Sequence, residues 1–318
     1  MSHVTPFKTL VILNPGSAGG NTARRWPAID AALTRTLGRY EHAPTTKPGD
    51  ATTFTRDALR AGYEMIVAIG GDGTVNEVVN GFYDGEVPTL ADRLPILGII
   101  PSGSGGDYRR TFGIPDRLDD AAARLAGHAT RTVDLGRIRC SRPGEAPHGV
   151  LRYFANIASF GVSAEVSRRA NESTKPLGGR LTYFVASLSA TLSYERRPVT
   201  LLSNGDAVKQ VSLNVGGCCI GQYFGGGMRF APKADPGDGL FDVVTVGGRS
   251  ALSMVSMTSI YIGKHIDKRG VSSWRARQVD GTCEGALPCT IEADGEVIGQ
   301  FPARFELLPG AMRVKVAS

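Results

Sequence analysis

The sequence predicts an α/β domain with a mostly parallel sheet, followed by an antiparallel β-sandwich domain. Three observations predict it. Strand-like and helix-like patterns alternate over the first 130 residues, which is the signature of a layered parallel sheet. Three strands of that region each run into a glycine-rich loop. After about residue 131 the texture changes to short alternating segments separated by turn pairs such as Asn204-Gly205 and Asp294-Gly295. A length of 318 residues suits two domains. The expected boundaries are 1–131 and 132–318, with the last strand free to return toward the first domain.

In chain order, Thr9 to Leu13 is a β-branched and aliphatic strand ending at Asn14-Pro15-Gly16. Residues 22–38 carry helical spacing through Trp26, Ile29, Leu33 and Leu37. A polar stretch holding Pro44, Pro48 and Gly49 leads to a second helix over 50–62. Glu64 to Ile69 reads as a buried strand ending at Gly70-Gly71, and helical spacing resumes at Val75, Val78, Val79 and Phe82. Pro95 to Ile100 is the third strand with a glycine-rich exit. Beyond it the expected strands are 132–138, 153–157, 199–202, 211–215, 241–246, 289–293 and 304–308. Helical insertions are expected near 177–194 and 249–264, the latter with an apolar face of Leu252, Val255, Ile260 and Ile262 that suits a core better than a membrane anchor.

Composition excludes several classes. Forty-one glycines without a G-X-Y period exclude collagen, and no apolar run reaches the ~18–20 residues of a membrane span. No signal peptide is evident, and five cysteines without a C-x-x-C pair fit reduced thiols in a cytoplasm. Charge is uneven: residues 1–130 carry 13 Lys and Arg against 14 Asp and Glu, whereas 131–318 carry 23 against 16. A basic second half, with Arg168-Arg169 and Arg196-Arg197, suits anionic lipid, phosphorylated substrate or nucleic acid, or else a plain solvated surface.

The strongest local signal is Ile69-Gly70-Gly71-Asp72-Gly73-Thr74-Val75-Asn76-Glu77, a buried strand that runs through three glycines into a helix. Glycine lets backbone amides approach a ligand, and the N–H groups of a helix start suit phosphate. Thr74 and Glu77 have capping-box spacing, which sets the expected helix start. Asp72 would be the one carboxylate beside such phosphates, useful there through Mg²⁺. The second and third signals are Asn14 to Gly20 and Ile100 to Asp107. Each alone is a turn; together, at equivalent strand ends, they would wall a nucleotide with amides and small hydroxyls. The dinucleotide fingerprint fails because Asn76 stands where its third glycine belongs, and no P-loop is present.

These residues resemble the soluble bacterial diacylglycerol-kinase-like lipid kinases, whose catalytic core sphingosine and ceramide kinases share. The resemblance rests on Asn14-Pro15, Gly70 to Glu77 and Leu97 to Pro101. It continues through Asn156 to Gly161, Tyr223 to Met228 with Ala231 to Ala234, Asp238 to Val243, and Asp294-Gly295-Glu296. It implies a phosphofructokinase- or NAD-kinase-like parallel sheet in the nucleotide-binding domain. It also implies an ATP site drawn from Asn14, Ser17, Thr45, Gly70, Gly71, Asp72, Gly73, Thr74, Asn76, Glu77, Gly103 and Ser104. Asp294 or Glu296 would be the general base on the lipid hydroxyl, in a cleft between the domains. A structural Mg²⁺ would sit on Asp238 with main-chain oxygens of Asp235 and Leu240, in keeping with the preference of hard cations for oxygen. Asp294-Gly295 is equally an ordinary hairpin turn, and Asp238-Gly239 a common one. The third loop departs from the family pattern at Gly106, and Ala18 stands in the first loop where glycine is common; the expected consequence is an altered lipid-facing pocket, since Asp107, the expected substrate contact, and Tyr108 follow directly.

The function implied is ATP-dependent phosphorylation of a hydroxyl on a membrane lipid, with ATP and Mg²⁺ required and the lipid left open. The enzyme would be cytoplasmic and peripheral at the inner membrane face, held by its basic half. A homodimer is allowed, and no nucleic-acid partner is expected. The competing readings are a kinase of a soluble metabolite such as NAD and a non-catalytic nucleotide-binding module.

Overall fold

A computed structural model describes residues 5–103, 105–162, 196–205, 207–247, 257–285 and 288–317. The chain divides into two compact units, Met1–Val133 with Gly310–Ser318, and Asp134–Pro309. The fold class read from the sequence is the one observed.

The first unit holds β1 (Thr9–Leu13), α1 (Asn21–Leu37), β2 (Glu41–Pro44), α2 (Asp50–Arg60), β3 (Met65–Gly70), α3 (Asp72–Asn80), a hairpin of β4 (Tyr83–Asp84) and β5 (Val87–Pro88), β6 (Ile96–Pro101), α4 (Asp107–Thr111) and α5 (Leu118–Ala123). Strands β2, β1, β3 and β6 pair in parallel, in that order. Val11, Ile12, Ile66, Val67 and Leu97 are fully buried, as continuous aliphatic runs must be when a parallel sheet is covered on both faces. Helix α2 packs on α3, and α1 on α5. Because the strands are parallel neighbours, the loops after β1, β3 and β6 emerge side by side.

The second unit contains β7 (Thr130–Ser141), β8 (Val150–Phe154), β9 (Ile157–Gly161), β10 (Arg197–Ser203), β11 (Ala207–Leu213), β12 (Val215–Cys219), β13 (Phe241–Val246), α6 (Met257–Tyr261), β14 (Val271–Ala276), β15 (Gln278–Cys283), β16 (Thr290–Ala293) and most of β17 (Glu296–Lys315). One run of antiparallel pairs is β14-β13-β12-β9-β16-β17. A second links β11, β10 and β15 to β17. Alternation divides each strand between two apolar clusters. Cys218 joins Phe160, Phe301 and Phe305 in the main core, whereas Cys219 faces Ile157, Phe230 and Val244 on the other side of the sheet.

Strand β17 belongs to both units. Its first half pairs with β16 and β15, and its end pairs in parallel with β6, Arg313 beside Ile96.

Four expectations are corrected. The stretch holding Pro44 forms an edge strand, β2. The segment 153–157 is broken at Ala155-Asn156 into β8 and β9, and 211–215 is broken at Asn214 into β11 and β12. Strands β14, with three exposed residues of six, and β15, interrupted by Asp280 and Gly281, were not expected from the sequence. The insertion near 177–194, residues 249–256 with Leu252 and Val255, Arg168-Arg169 and Ser104 lie outside the described residues. Of the rest of that apolar face, Ile260 packs on the smaller cluster and Ile262 is exposed. Among the described residues no helix is long and apolar enough to cross a membrane.

Candidate active site

In the first unit the three glycine-rich loops are tied to one another by hydrogen bonds. Asn14 N donates to the carbonyl of Ile69, and Ser102 N donates to that of Gly70, extending the β1–β3 and β3–β6 ladders into the loops. Asn14 Nδ2 donates to Thr74 Oγ1 at 3.1 Å while its Oδ1 accepts from Gly16 N, also at 3.1 Å. A chain of hydroxyls joins the first loop to the third: Ser17 to Thr22 at 2.5 Å, and Thr22 to Ser102 at 2.5 Å. Thr45 closes the edge, its N–H on the carbonyl of Leu13 at 2.8 Å.

Glycine is required where loops meet. A Cβ on Gly103 would lie 2.5 Å from Gly71 Cα, and one on Gly70 would lie 2.3 Å from Thr74 Oγ1. Only bare backbone permits that approach.

Helix α3 begins at Asp72, with Gly71 as its cap and no side-chain cap bond. This corrects the capping-box start at Thr74. Thr74 spends its hydroxyl on Asn14, and Glu77 Oε2 accepts instead from Ala51 N in α2. The N–H groups of the first turn, Asp72 and Gly73 among them, therefore stay outside the helix ladder, at the point where the loops converge. Asn76 is fully buried and accepts from Asn80, away from that point.

Asp72 fastens the third loop. Its carboxylate accepts from three successive amides, Gly106 at 2.9 Å, Asp107 at 3.2 Å and Tyr108 at 3.4 Å. It thereby caps α4 and anchors the third loop. Asp107 is buried and ion-paired with Arg110 at 2.7 Å.

In the second unit Asp294 and Gly295 form the two-residue turn between β16 and β17, both at positive φ. The Asp294 carboxylate accepts from Ala155 N at 2.9 Å, Asn156 N at 3.1 Å and Ile157 N at 3.0 Å. These are the amides of the β8–β9 break, and Asp294 N returns a bond to the Ile157 carbonyl. Glu296, two residues on, is partly exposed and takes Arg152 Nη2 at 2.7 Å. Arg152 is a residue that the sequence did not single out. It lies in β8, two residues before that strand ends at the break that Asp294 holds.

The proposed metal loop follows β12. Asp238 Oδ1 accepts from Leu240 N at 3.1 Å, its other oxygen pairs with Arg275, and Asp235 Oδ1 accepts from Gly237 N at 3.0 Å. Buried Asp134 braces this loop, accepting from Gly239 N at 2.9 Å and donating its own N–H to Pro236. Asp242 adds a second carboxylate, with Arg275 3.7 Å away. Burial and nearby Asp238 push its carboxyl up, and Arg275 pulls it down. One buried oxygen of Asp242 has no hydrogen-bond partner. That oxygen, Oδ2, is the one that faces Arg275, and Lys233 also acts on Asp242, so two carboxylates meet two cations in an oxygen-rich corner whose donor set suits a hard cation. Among the described residues no three His, Cys, Asp or Glu side chains converge as a ligand cluster, so a metal here would depend on main-chain oxygens. Asp134 and Asp242 could have been found as carboxylates at inward positions of alternating strands.

Comparison with known proteins is consistent over the whole chain. Residues 8–138 match the diacylglycerol kinase catalytic domain, and residues 156–316 match the YegS C-terminal NAD kinase beta sandwich-like domain. A diacylglycerol kinase of Mycobacterium tuberculosis is 30% identical over 312 residues, 96% of this chain and 94% of that protein. One of Bacillus subtilis is 27% identical, covering 86% of each. A crystal structure titled as a diacylglycerol kinase from Bacillus anthracis superposes with a TM-score of 0.70 at 21% identity over 98% of each chain, which is a likeness of fold.

Proposed function

Because this chain belongs to the diacylglycerol kinase family with a YegS-type C-terminal domain, and is a kinase, we propose that it transfers the γ-phosphate of ATP to a hydroxyl of a membrane lipid. The observation that carries the proposal is the convergence of three amide-rich loops on the start of α3, bound to one another through Asn14, Thr22, Ser102 and Thr74. Phosphoryl transfer asks mainly for positioning and charge stabilisation. The free N–H groups of the α3 start, with the small hydroxyls beside them, give a triphosphate donors on several sides. Asn14, Ser17, Thr45, Gly70 to Thr74 and Gly103 form this wall. Asp72 orders its third loop.

Asp294 and Glu296 divide the work at the acceptor hydroxyl. Three backbone N–H groups occupy the Asp294 carboxylate and tie it to the β8–β9 break. Asp294 is therefore the positioning residue. Glu296, more open and held by Arg152, is the proton acceptor. Asp238, with main-chain oxygens of Asp235 and Leu240, would hold Mg²⁺, which when bound supplies positive charge to the oxygen-rich corner. The basic excess of the second half suits attachment to an anionic membrane surface, at about 1 kcal/mol per basic residue close to the lipid.

The test is transfer from labelled ATP to a panel of diacylglycerol, monoacylglycerol, ceramide, sphingoid base and phosphatidylglycerol, with NAD as the soluble acceptor. A labelled lipid product supports the proposal. Labelled NADP without any labelled lipid overturns it. Sedimentation with vesicles tests attachment: binding indifferent to anionic lipid and to salt removes the electrostatic part.

A further inference from the structure

The end of α6 and the turn after it divide their side chains between the protein and the solvent. Ile260 and Ile266 pack on the smaller apolar cluster of the second unit. His265 is fully buried, with its Nε2 3.0 Å from the Phe230 carbonyl. Tyr261 and Ile262 lie outside: Ile262 is 54% exposed and Tyr261 38%. The other exposed large apolar side chains among the described residues, Val87 and Val297, stand singly, as surface side chains ordinarily do. Tyr261 and Ile262 are adjacent.

Backbone bonds fix this exposure. Gly263, at φ 73°, donates its N–H to the Ile260 carbonyl at 3.1 Å, and Lys264 N donates to the Ser259 carbonyl at 2.8 Å, the pair of bonds that closes a helix end on a left-handed glycine. Arg229 N reaches the same Ile260 carbonyl at 3.1 Å. A Cβ on Gly263 would lie 3.0 Å from Pro232 Cβ, so the turn rests directly on the loop beside it. Ile260 before the turn and His265 after it are held inward, which leaves Tyr261 and Ile262 at its crest. A second turn, Lys268 N on the His265 carbonyl at 3.0 Å, folds the basic end of the segment back. Lys264, Lys268 and Arg269 are all exposed, and Asp267 is the only acid from 260 to 269. Tyrosine suits the boundary between head groups and hydrocarbon, an aliphatic side chain suits the hydrocarbon side, and lysine and arginine extend their charge toward phosphate. An apolar crest among cations thus complements an anionic lipid surface, in the half of the chain that carries the basic excess.

We infer that this turn is where the second unit docks on an anionic bilayer. Tyr261 and Ile262 enter the head-group boundary, and Lys264, Lys268 and Arg269 meet lipid phosphates. The inference rests on the membrane-lipid reading of the function and adds the place of attachment, which net charge does not locate.

The experiment uses the full-length protein with vesicles of phosphatidylcholine alone and of phosphatidylcholine with phosphatidylglycerol. Ile262→Asp is expected to weaken sedimentation with the mixed vesicles about tenfold, as losing a buried isoleucine does. Lys264→Gln, Lys268→Gln and Arg269→Gln combined should weaken it about a hundredfold and flatten its salt dependence. Ile262→Trp should add emission, above that of Trp26 and Trp274, that shifts to the blue on mixed vesicles and is quenched by lipids brominated near the head group. The substituted side chains are exposed, so circular dichroism and the thermal midpoint should not move. None of these readouts needs turnover, so a chain that phosphorylates no lipid would fail the kinase reading and leave the docking result standing. Undiminished vesicle binding by folded Ile262→Asp, unquenched emission from sedimented Ile262→Trp, or a dimer that Ile262→Asp dissociates without any change in vesicle binding would each overturn the docking turn.

Discussion

The turn at Asp72 and the turn at Asp294 lie in different units and use one device. In each, an aspartate beside a glycine accepts three successive backbone amides from another segment: 106–108 in the first unit, 155–157 in the second. They differ in what surrounds them. Asp72 opens a helix in ordinary backbone geometry and fastens one loop of a parallel sheet to the next. Asp294 occupies a left-handed hairpin position, φ 49°, and holds open a break between two strands. Near Asp72 the neighbours are amides and hydroxyls; near Asp294 the neighbour is a second carboxylate on an arginine. The lesson is that the most conspicuous carboxylate of each motif anchors backbone from a distant segment; under the proposed function the groups it anchors would meet the substrates.

The largest effect should fall beside the anchor. Glu296→Gln is expected to lower kcat by about 10²–10⁴-fold, as the loss of a general base does, while stability moves by no more than about 1 kcal/mol because its ion pair is half exposed. Equal loss of both would return Glu296 to a structural role. Asp294→Ala should cost about 3 kcal/mol by stranding three amides, seen as a lower denaturant midpoint, with turnover falling in step. Turnover lost at unchanged stability would instead make Asp294 the base and break the likeness to Asp72. Asp72→Asn keeps one acceptor oxygen and should weaken ATP binding about tenfold by calorimetry, or ~1.4 kcal/mol. ATP binding unchanged in that variant would separate the two turns in kind.

The smallest effect concerns Lys315, in the strand that both units share. It is buried, its ammonium on the carbonyls of Ala126 and Gly127, and burial pulls it down to about 8. Below that pH the folded chain carries the full penalty of a buried charge. Above it the folded form releases its proton before the unfolded form does, so stability rises from about pH 8 toward 10.5. The difference in thermal midpoint between wild type and Lys315→Met should shift in favour of the wild type over that range. A flat difference would show a lysine that titrates normally.

Strands buried on both faces were legible in the sequence. The bounds of β1 and β13 match the expected ones, and β3 and β6 differ by one residue, because an uninterrupted aliphatic run has one reading. Edge strands were not, since β2 exposes three of its four residues and β14 three of its six, which leaves no continuous apolar run. The breaks at Asn156 and Asn214 interrupt apolar runs whose periodicity gives no warning. Within the site, motifs located Asp72, Asp294 and the glycine turns, but roles depend on partners distant in sequence. Amides near residues 106 and 155 supply no side-chain pattern, so nothing in the motif distinguishes an anchor from a base. Arg152 and Thr22 owe their roles to contacts with segments distant in sequence, which spacing along the chain does not encode.

The pairing of Ile96 with Arg313 bears on how the protein is made. During synthesis the nucleotide-side sheet emerges early, with its loops and helices in place, yet β6 keeps an unpaired edge until nearly the whole second unit has followed. A nascent chain that has not yet reached Arg313 and Val314 thus exposes an open strand edge beside the joined glycine-rich loops.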